Sequence, residues 1–573
     1  MDKVSKKNKM NKKIKTLRDK FKKYNIDGYV VPKNDDYFTE YSKINRLKII
    51  SNFSGSAGLA VILKNKNYLF TDGRYTIQSQ IESGKNFKII SYEKIVNCNL
   101  FKNLTLGIDP KLITYNQVKK FFSKDNKVKF INNNLIDEIK NQKIKDDFPF
   151  FTLSKNIVGE NYTSKINKIS KYLKKNKSDY LFISAPENVA WILNIRGGDG
   201  PNSPVPNCRL IISKNKKLIL ISNIKKSKNL IKEKLIKLNQ LINIKNFSKK
   251  ILQLKGNNFI IDDKSCSIYF EDIIKSKFKI IKREDPTYLL KAIKNKIEIK
   301  NMINAHIVDG AALTKFIYWI KNTNKKKINE VQAQNKLEQF RKKNKNYLYP
   351  SFDTIAGSGK NGAIVHYRAK KENCRIITKK DIFLCDSGGQ YKYGTTDVTR
   401  TICFSKPKST IKNIFTKVLK GHIAVANTNL TKDNIGSKID KRARKFLKKS
   451  NLDYAHGTGH GVGFFLNVHE GPQSISKTNN VKIKEGMILS NEPGFYKKDS
   501  FGIRIENLVF VKRVRKKILF ENLTLVPIEK ELINYKLLSS AEKDYLFKYH
   551  MDVYSKISRY LNLKERRWLA SFI

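Results

Sequence analysis

Residues 382–403, IFLCDSGGQYKYGTTDVTRTIC, contain two apolar, β-prone runs separated by a glycine-containing turn. Asp386 lies near the end of the first run, and Asp397 lies at the start of the second, eleven residues later. Two antiparallel strands joined by such a turn bring both carboxylates to one face. Neighbouring carboxylates repel each other unless a cation lies between them, so this stretch predicts a metal site carried by a sheet.

Three further segments supply the other side chains of such a site: HGTGHGVGFFLNVHEGP at 456–472, SNEPGFY at 490–496 and IRIEN at 503–507. Glu492 follows a β-prone run and precedes a Pro-Gly turn. Alternation along a strand directs Glu506 inward. The segments together predict five ligands for two divalent ions: Asp386, Asp397, His460, Glu492 and Glu506.

Four carboxylates and one imidazole form a hard, oxygen-rich ligand set. Such a set favours Mn²⁺, whereas structural zinc sites are typically rich in thiolates. Co²⁺ and Zn²⁺ are the alternative ions. A pair of divalent ions activates water and polarises a carbonyl, which predicts a hydrolase. Three of the seven histidines, His366, His456 and His469, also fall in this region, and we expect them to move protons and stabilise charge.

The 573-residue chain has 115 Lys plus Arg against 50 Asp plus Glu, a formal net charge of +65. A charge of this size and sign is typical of proteins that bind nucleic acid. The lysines, however, are spread along the whole chain among Asn and Ile, with no arginine cluster and no basic stripe interleaved with aromatic residues. We therefore attribute the charge to an AT-rich codon bias and expect no nucleic-acid partner.

Cysteine usage and hydropathy predict the compartment. The basic N-terminus leads into no apolar signal-peptide core, and no run of about 18 apolar residues occurs. The cysteines form no Cys-x-x-Cys pair, which argues against a zinc knuckle and a disulfide framework. We expect a cytoplasmic protein without a membrane segment. The six cysteines are Cys98, Cys208, Cys266, Cys374, Cys385 and Cys403.

The chain predicts an α/β (α+β) fold in three parts. Short β-rich runs such as GYVVP and GLAVILKN alternate with amphipathic segments, and the same texture recurs in the second part. The third part opens with a predicted helix at 297–320, and a further helix has Ser409 as its N-cap. We expect a lysine-rich extension at 1–15, α/β domains at 16–155 and 156–290, and a catalytic domain at 291–573.

The strings DSGGQYKYGTTDVTRT, HGTGHGVGFFLNVHEGP, NEPGFY and GIRIEN closely resemble the signature of the pita-bread metallopeptidases, in particular the long, three-domain cytosolic type of aminopeptidase P. NFSGSAGLAVI and ENVAWILNIRGGDGPNSPV, upstream, are similar to the same family in the same order. The resemblance spans nearly the whole chain. It implies two creatinase-like N-terminal α/β domains, a C-terminal pita-bread catalytic domain and a homodimer.

The resemblance also implies a role for each site residue. The five predicted ligands match the family's metal ligands, with Asp397 and Glu506 bridging both ions. Arg504 matches a residue that orients the ligands. The histidines that match the family's substrate-site histidines are His366, His456 and His469.

The reaction implied is removal of the N-terminal residue from peptides whose second residue is proline. Attack comes from a hydroxide that bridges the two metals, and Glu492 passes the proton to the departing nitrogen. Proline's nitrogen bears no hydrogen and its ring restricts the backbone, so such bonds resist general aminopeptidases.

Two alternatives share this fold. Prolidase, which splits Xaa-Pro dipeptides, has the same ligand pattern but usually a two-domain chain, so the length favours aminopeptidase P. Non-catalytic pita-bread relatives that bind nucleic acids or histones lose ligands, whereas all five are present here. Outside the catalytic part, we expect Trp191 to pack in a core, and Arg46 and Arg74 to pair with acidic groups.

Overall fold

The computed structural model describes residues 3–96, 100–122, 126–140, 148–323 and 328–573, so Cys98 and the first two residues of the predicted extension lie outside the described residues. The chain forms two compact units. The N-terminal unit is Met1–Lys155 with Glu160–Thr287, and the C-terminal unit is Asn156–Gly159 with Tyr288–Ile573. The finer division at residues 15, 155 and 290 stays a prediction.

The first sheet of the N-terminal unit has six strands in the spatial order 4-3-2-1-5-6, counted along the chain. Strands 1 and 2 and strands 2 and 3 pair antiparallel, and the other neighbours pair parallel. Tyr29 and Val31 of the first strand face one buried cluster, and Val30 faces another. In chain order the strands are Gly28–Pro32, Leu59–Leu63, Asn67–Thr71, Lys88–Ser91, Thr105–Ile108 and Lys127–Phe130.

The second sheet of this unit repeats the first in both strand order and strand direction. The sequence predicted two α/β domains of similar texture, and the shared topology confirms that similarity. In chain order the strands are Tyr180–Ile183, Arg209–Ser213, Leu218–Ile221, Leu241–Ile242, Asn258–Ile261 and Lys279–Lys282.

Helices alternate with these strands. Those associated with the first sheet are Lys3–Asp19, Phe21–Tyr24, Arg46–Ser51, Thr76–Ser83, Tyr115–Phe121 and Leu135–Ile139. Those that alternate with the strands of the second sheet are Tyr162–Lys175, Pro186–Leu193, Ile224–Lys232, Phe247–Gln253 and Ile268–Lys275, whereas the short helix Lys155–Val158 belongs to the C-terminal unit from Asn156 onward.

The notable polar residues of the N-terminal unit have structural roles, as predicted. Arg46 donates to both oxygens of Asp137, at 2.9 and 2.8 Å. Arg74 likewise binds Asp72, with its Nη2 2.7 Å from Oδ2. Trp191 is buried, and the Lys165 ammonium lies 4.1 Å from its ring centroid, a cation–π contact.

The C-terminal unit carries the predicted site on several small sheets. Three strands, Ile355–Ser358, Ile382–Ser387 and Val398–Cys403, form one sheet, and a five-stranded sheet lies in the order Glu470–Ile475, Gly459–Gly461, Ile488–Asn491, Asn507–Val514, Lys517–Asn522. The remaining strands are Tyr347–Pro350, Gly389–Tyr391, Gly394–Thr395, Gly494–Lys497 and Phe501–Arg504. The helices are Thr287–Ala292, Lys296–Asn322, Glu330–Lys342, Ser409–Ala426, Gly436–Lys448, Ser540–Ile557 and Leu563–Ala570.

The two helices predicted here are present. The first spans Lys296–Asn322 and starts with a capping box in which Asn295 and Glu298 satisfy each other's backbone N–H groups. The second begins at Ser409, but Lys408 holds the N-cap position and makes no side-chain cap, so the prediction of Ser409 as N-cap is wrong by one residue. That helix packs Phe415, Val418 and Leu419 into the core of the unit.

In the described part of the chain, no helix is both long enough and apolar enough to cross a membrane. The five cysteines that fall within the described residues are free thiols.

Candidate metal centre

Asp386 and Asp397 are carried by the hairpin that the sequence predicted. Strands Ile382–Ser387 and Val398–Cys403 pair antiparallel, with Asp386 opposite Thr399 and Asp397 one residue before the second strand. A Cβ on Gly388 would lie 2.0 Å from the Thr396 carbonyl oxygen, so only glycine lets the chain close this tightly after Asp386. The local sequence thus brings the two carboxylates to one place.

Glu492 and Glu506 come from the ends of other strands. Glu492 directly follows strand Ile488–Asn491, as predicted. Glu506 does not alternate within one strand: it lies in the break between Phe501–Arg504 and Asn507–Val514, where its N–H donates to the Thr399 carbonyl at 3.2 Å. The break, and not strand alternation, directs its side chain.

The structure brings the predicted ligands together around His460. Its Nε2 lies 3.5 Å from both Asp397 Oδ2 and Glu492 Oε1. Ligand atoms of Asp397, His460 and Glu506 all lie within 4.8 Å of one another. Asp386 is tied to the group through Arg504, whose Nη2 lies 2.6 Å from Asp386 Oδ2.

The ring of His460 is oriented as a metal ligand requires. Its Nδ1 lies 2.9 Å from the Gly461 carbonyl oxygen, to which it donates, so Nε2 is left to face the carboxylates. Metal-binding histidines in general donate their second ring N–H to a carbonyl or carboxylate in this way. His460 therefore fits the role of nitrogen ligand.

The carboxylates of the centre are buried and repel one another. Burial, together with the charges of Asp397 and Glu492, raises the pKa of Asp386 to about 7 despite the nearby guanidinium of Arg504. Burial also raises the pKa of Asp397, and burial with three neighbouring carboxylates raises that of Glu506 well above its ordinary value. A cation in their midst would remove this penalty.

Glu492 and His460 form the charged pair of the group. Burial opposes ionisation of Glu492, but the charges of His460, His456 and Arg504 outweigh it and lower its pKa. Burial likewise favours neutral His460, yet its hydrogen bond to Asp397 and the charge of Glu492 raise its pKa to about 9. Because a metal ligand must be neutral imidazole, cation binding here would release a proton.

The donor set fits divalent cations. Asp386 Oδ1 is fully buried and has no hydrogen-bond partner among the described residues, which leaves an oxygen available as a ligand. The four carboxylates outnumber the two positive charges beside them, those of Arg504 and protonated His460. Oxygen-rich sites of this kind suit Mn²⁺ and similar ions.

Arg504 orients the predicted ligands, together with Thr399 and Tyr496, which were not predicted from the sequence. Its Nε donates to Thr399 Oγ1 at 3.1 Å, and that hydroxyl donates to Glu506 Oε2 at 2.7 Å. Its Nη1 donates to the Tyr496 hydroxyl. One guanidinium therefore positions Asp386 directly and Glu506 through Thr399.

His456 is held by hydrogen bonds on both ring nitrogens. Because Arg504 donates to the Tyr496 oxygen, the Tyr496 hydroxyl donates to His456 Nε2 at 2.8 Å, and His456 Nδ1–H donates to the Gly457 carbonyl at 2.7 Å. Burial lowers the pKa of His456 to about 4. The ring is neutral at pH 7, with neither nitrogen facing open space.

The other two predicted histidines lie nearer to solvent. His469 is partly buried, and its ring centroid lies 4.3 Å from that of His460, nearly perpendicular at 78°. His366 is also partly buried and follows Val365, whose carbonyl accepts from Arg504 Nη2 at 3.4 Å. Both are therefore placed near the ligand cluster, His469 by its ring and His366 by its backbone.

Four family models match the chain. Residues 300–513 match metallopeptidase family M24, and residues 517–571 match the C-terminal region of peptidase M24. Residues 13–139 and 145–298 each match the creatinase/prolidase N-terminal domain, in agreement with the repeated sheet topology. The predicted fold class, two creatinase-like domains followed by a pita-bread domain, is confirmed.

The chain is similar to named peptidases along its whole length. It is 35% identical over 593 residues to a probable Xaa-Pro aminopeptidase P of Laccaria bicolor, covering 97% of this chain and 92% of the relative. X-prolyl aminopeptidase from Caenorhabditis elegans, described as a cytosolic enzyme with a di-nuclear active site, superposes with a TM-score of 0.90 at 28% identity, covering 98% of this chain and 99% of that one. Prolidase from Pyrococcus horikoshii, at 25% identity and a TM-score of 0.51, covers only 64% of this chain.

Proposed function

This chain belongs to the Xaa-Pro aminopeptidase P family of M24 metallopeptidases and is a proline-specific aminopeptidase, and we propose that it cleaves the bond before a penultimate proline with the help of two divalent cations. The observation that supports the proposal is the buried cluster of carboxylates around His460, in which burial and the charges of neighbouring carboxylates raise the pKa values of Asp386, Asp397 and Glu506. The di-nuclear active site of the C. elegans neighbour supports two ions.

The residues that would hold the ions are Asp386, Asp397, His460, Glu492 and Glu506. Mn²⁺ is the proposed metal, since the set is rich in oxygen. When bound, such a pair of ions lowers the pKa of a water molecule and polarises the substrate carbonyl.

Glu492 is the group that we propose to move the proton. Its lowered pKa keeps it ionised at neutral pH, so it can accept a proton from the attacking water. The Ser490 hydroxyl, which donates to Glu492 Oε1 at 3.0 Å, fixes its orientation. Glu492 would then return the proton to the proline nitrogen, which needs it in order to leave.

His469 and His366 are the proposed contacts for the peptide, since they lie near the ligands and are partly accessible. For His456, the sequence implied the same role, and its hydrogen bonds on both nitrogens favour a different one. We propose that neutral His456 holds Tyr496 and, through it, Arg504 in place. It remains part of the active site as a positioning residue.

Metal removal and replacement test the proposal. We expect the chelated protein to be inactive on an Xaa-Pro-Pro peptide, and Mn²⁺ to restore activity at least as well as Co²⁺ or Zn²⁺. An Asp397→Ala variant is the control and should stay inactive with every metal. Failure of all three metals to restore activity, or full activity of the control, would refute the two-ion mechanism.

Prolidase activity is the competing function, because prolidases share the catalytic fold. Hydrolysis of a Gly-Pro dipeptide, measured beside hydrolysis of a longer Xaa-Pro-Pro peptide, separates the two. We expect the longer peptide to be cut preferentially. Cleavage of the dipeptide alone would identify a prolidase.

A cytoplasmic location and a homodimer belong to the same proposal. The description of the C. elegans neighbour as cytosolic supports the first. The second rests on the family resemblance, and light scattering coupled to gel filtration would test it: a mass near 66.4 kDa, that of one chain, would contradict it.

A further inference from the structure

Three buried charges lie next to His469, one of the two proposed peptide contacts. The Glu470 carboxylate binds two lysines: Lys291 Nζ lies 2.8 Å from Oε2, and Lys294 Nζ contacts Oε1. The side chains of all three residues are at most 3% exposed. Buried ion pairs often contribute nothing to stability compared with apolar side chains of the same size, so a buried triad of charges can be asked what else it fixes.

Glu470 occupies a particular place in the chain. It directly follows His469 and begins strand Glu470–Ile475, which pairs with Gly459–Gly461, the strand of His460, in a register that sets Gly461 opposite Glu470. Gly463 N–H donates to the Asn467 carbonyl at 3.0 Å, which closes the turn between the two histidines. A Cβ on Gly463 would lie 3.2 Å from Glu470 Oε2, so this turn packs against the carboxylate.

The two lysines fasten this turn to the strand of Glu492. Lys294 N–H donates to the Gly486 carbonyl at 2.9 Å, and Ile293 forms a β-bridge with Met487, one residue before strand Ile488–Asn491. Both oxygens of the Glu470 carboxylate are held by lysines of one segment, 291–294, which restricts rotation of the carboxylate. The contacts of Glu470 with Lys291 and Lys294 therefore connect the segment that carries His469 to the strand that Glu492 follows.

We propose that Glu470 is a positioning residue that, through Lys291 and Lys294, fixes the His469 ring beside His460 for contact with the peptide. The inference rests on the proposed function, in which His469 contacts the substrate. Its expected effect is on turnover, because a displacement of about 1 Å at a reacting centre can cost about a hundredfold in rate.

The experiment uses two variants of the full-length, Mn²⁺-loaded enzyme. Glu470→Gln leaves two buried lysines without their counter-charge, and we expect it to lose both stability and kcat. The triple variant Lys291→Met, Lys294→Met and Glu470→Leu replaces the charges by apolar groups of similar size, which generally preserves folding. For the triple variant we expect normal metal content and thermal stability, kcat lowered by about tenfold or more and KM within about threefold.

A matched control replaces another buried ion pair of the same unit. Lys321→Met with Glu529→Leu removes a largely buried pair at 2.6 Å, whose lysine also contacts Glu531 and the Cys403 carbonyl, and should leave kcat unchanged. Wild-type kcat in the triple variant would overturn the proposal, because a purely structural triad is fully replaced by apolar packing.

A second readout does not depend on activity. The seven histidines allow selective ¹⁵N labelling of the imidazole rings in the metal-free protein, with His469 assigned by a His469→Gln variant. We expect the triple variant to shift the His469 resonances, and unchanged resonances would overturn the proposal. If the wild-type enzyme cleaves no proline peptide, the proposed function fails, while these spectra still decide whether Glu470 positions His469.

Discussion

The candidate metal centre and the Asp309–Arg341 pair are both buried carboxylate sites of the C-terminal unit, and they differ in their charge balance. Arg341 Nε donates to Asp309 Oδ1 at 2.7 Å, and the Tyr391 hydroxyl donates to the same oxygen at 2.6 Å. Arg341 also reaches Ser387 Oγ at 3.1 Å, next to Asp386, so the two sites are neighbours.

The pKa shifts of the two sites run in opposite directions. Burial opposes ionisation of Asp309, but the charge and hydrogen bonds of Arg341 outweigh it and lower the pKa. At the metal centre, burial and mutual repulsion raise the pKa of Asp386 to about 7 and raise those of Asp397 and Glu506 as well. A balanced pair holds the fold together, whereas a site with excess negative charge is prepared to receive cations.

The substitution with the largest expected effect removes a proposed ligand of the metal centre. Asp397→Asn should lower kcat/KM by about a thousandfold or more, since loss of a ligand removes several kcal/mol of transition-state stabilisation. The metal-free variant should nevertheless be as stable as the wild type or more stable at pH 7, because the substitution removes a carboxylate whose pKa is raised. Steady-state kinetics, metal analysis and thermal melts test this, and residual activity within tenfold of wild type would contradict it.

The balanced pair should respond in the opposite way. Arg341→Met leaves Asp309 buried without its counter-charge, and should lower the free energy of unfolding by about 3–5 kcal/mol. The double variant Asp309→Asn with Arg341→Met should recover most of that loss. Denaturant unfolding measures both, and an Arg341→Met protein as stable as wild type would show that the pair does not hold the fold.

The pH dependence of stability separates the two sites without mutation. Asp386 has a folded pKa of about 7 against an ordinary value of 3.8, so its contribution to the stability of the metal-free protein is present below pH 3.8 and is lost as pH rises through 7. Asp309, with its pKa lowered, contributes above its ordinary value and loses its contribution only in acid. We expect the chelated protein to melt at lower temperature at pH 8 than at pH 5.5, relative to the Mn²⁺-loaded protein. Parallel curves for the two forms would count against the charge imbalance.

The structural features of the C-terminal unit that the sequence predicted depend on local patterns. Apolar spacing predicted a helix at 297–320, and the helix spans Lys296–Asn322. The hairpin that carries Asp386 and Asp397 follows from two β-prone runs and a glycine turn. Each of these signals lies within about twenty residues, where periodicity and turn chemistry determine the structure.

The structural features that the sequence did not predict depend on contacts between residues far apart in the sequence. Glu506 was expected in mid-strand, but the chain breaks there to meet Thr399, which lies 107 positions away. In the sequence, Thr399 and Tyr496 are ordinary strand residues, and only their hydrogen bonds with Arg504 in the structure show their role. The repeated topology of the two N-terminal sheets was equally hidden, because strand order depends on pairing while the strands themselves need only be apolar.

The substitution with the smallest expected effect is at Thr399, and it tests how Arg504 orients Glu506. Its hydroxyl accepts from Arg504 Nε and donates to Glu506 Oε2, so Thr399→Val should weaken metal binding by about 10- to 100-fold, the usual effect of losing a hydrogen bond to a ligand. Thr401, two residues along the same strand, is the matched control because its hydroxyl forms hydrogen bonds with the backbone carbonyl and N–H of Arg504, at 3.0 and 3.1 Å. Thr401→Val should cost about 1 kcal/mol of stability with Mn²⁺ affinity unchanged. Equal metal affinities for the two variants, measured by calorimetric titration, would show that Arg504 orients Glu506 without Thr399.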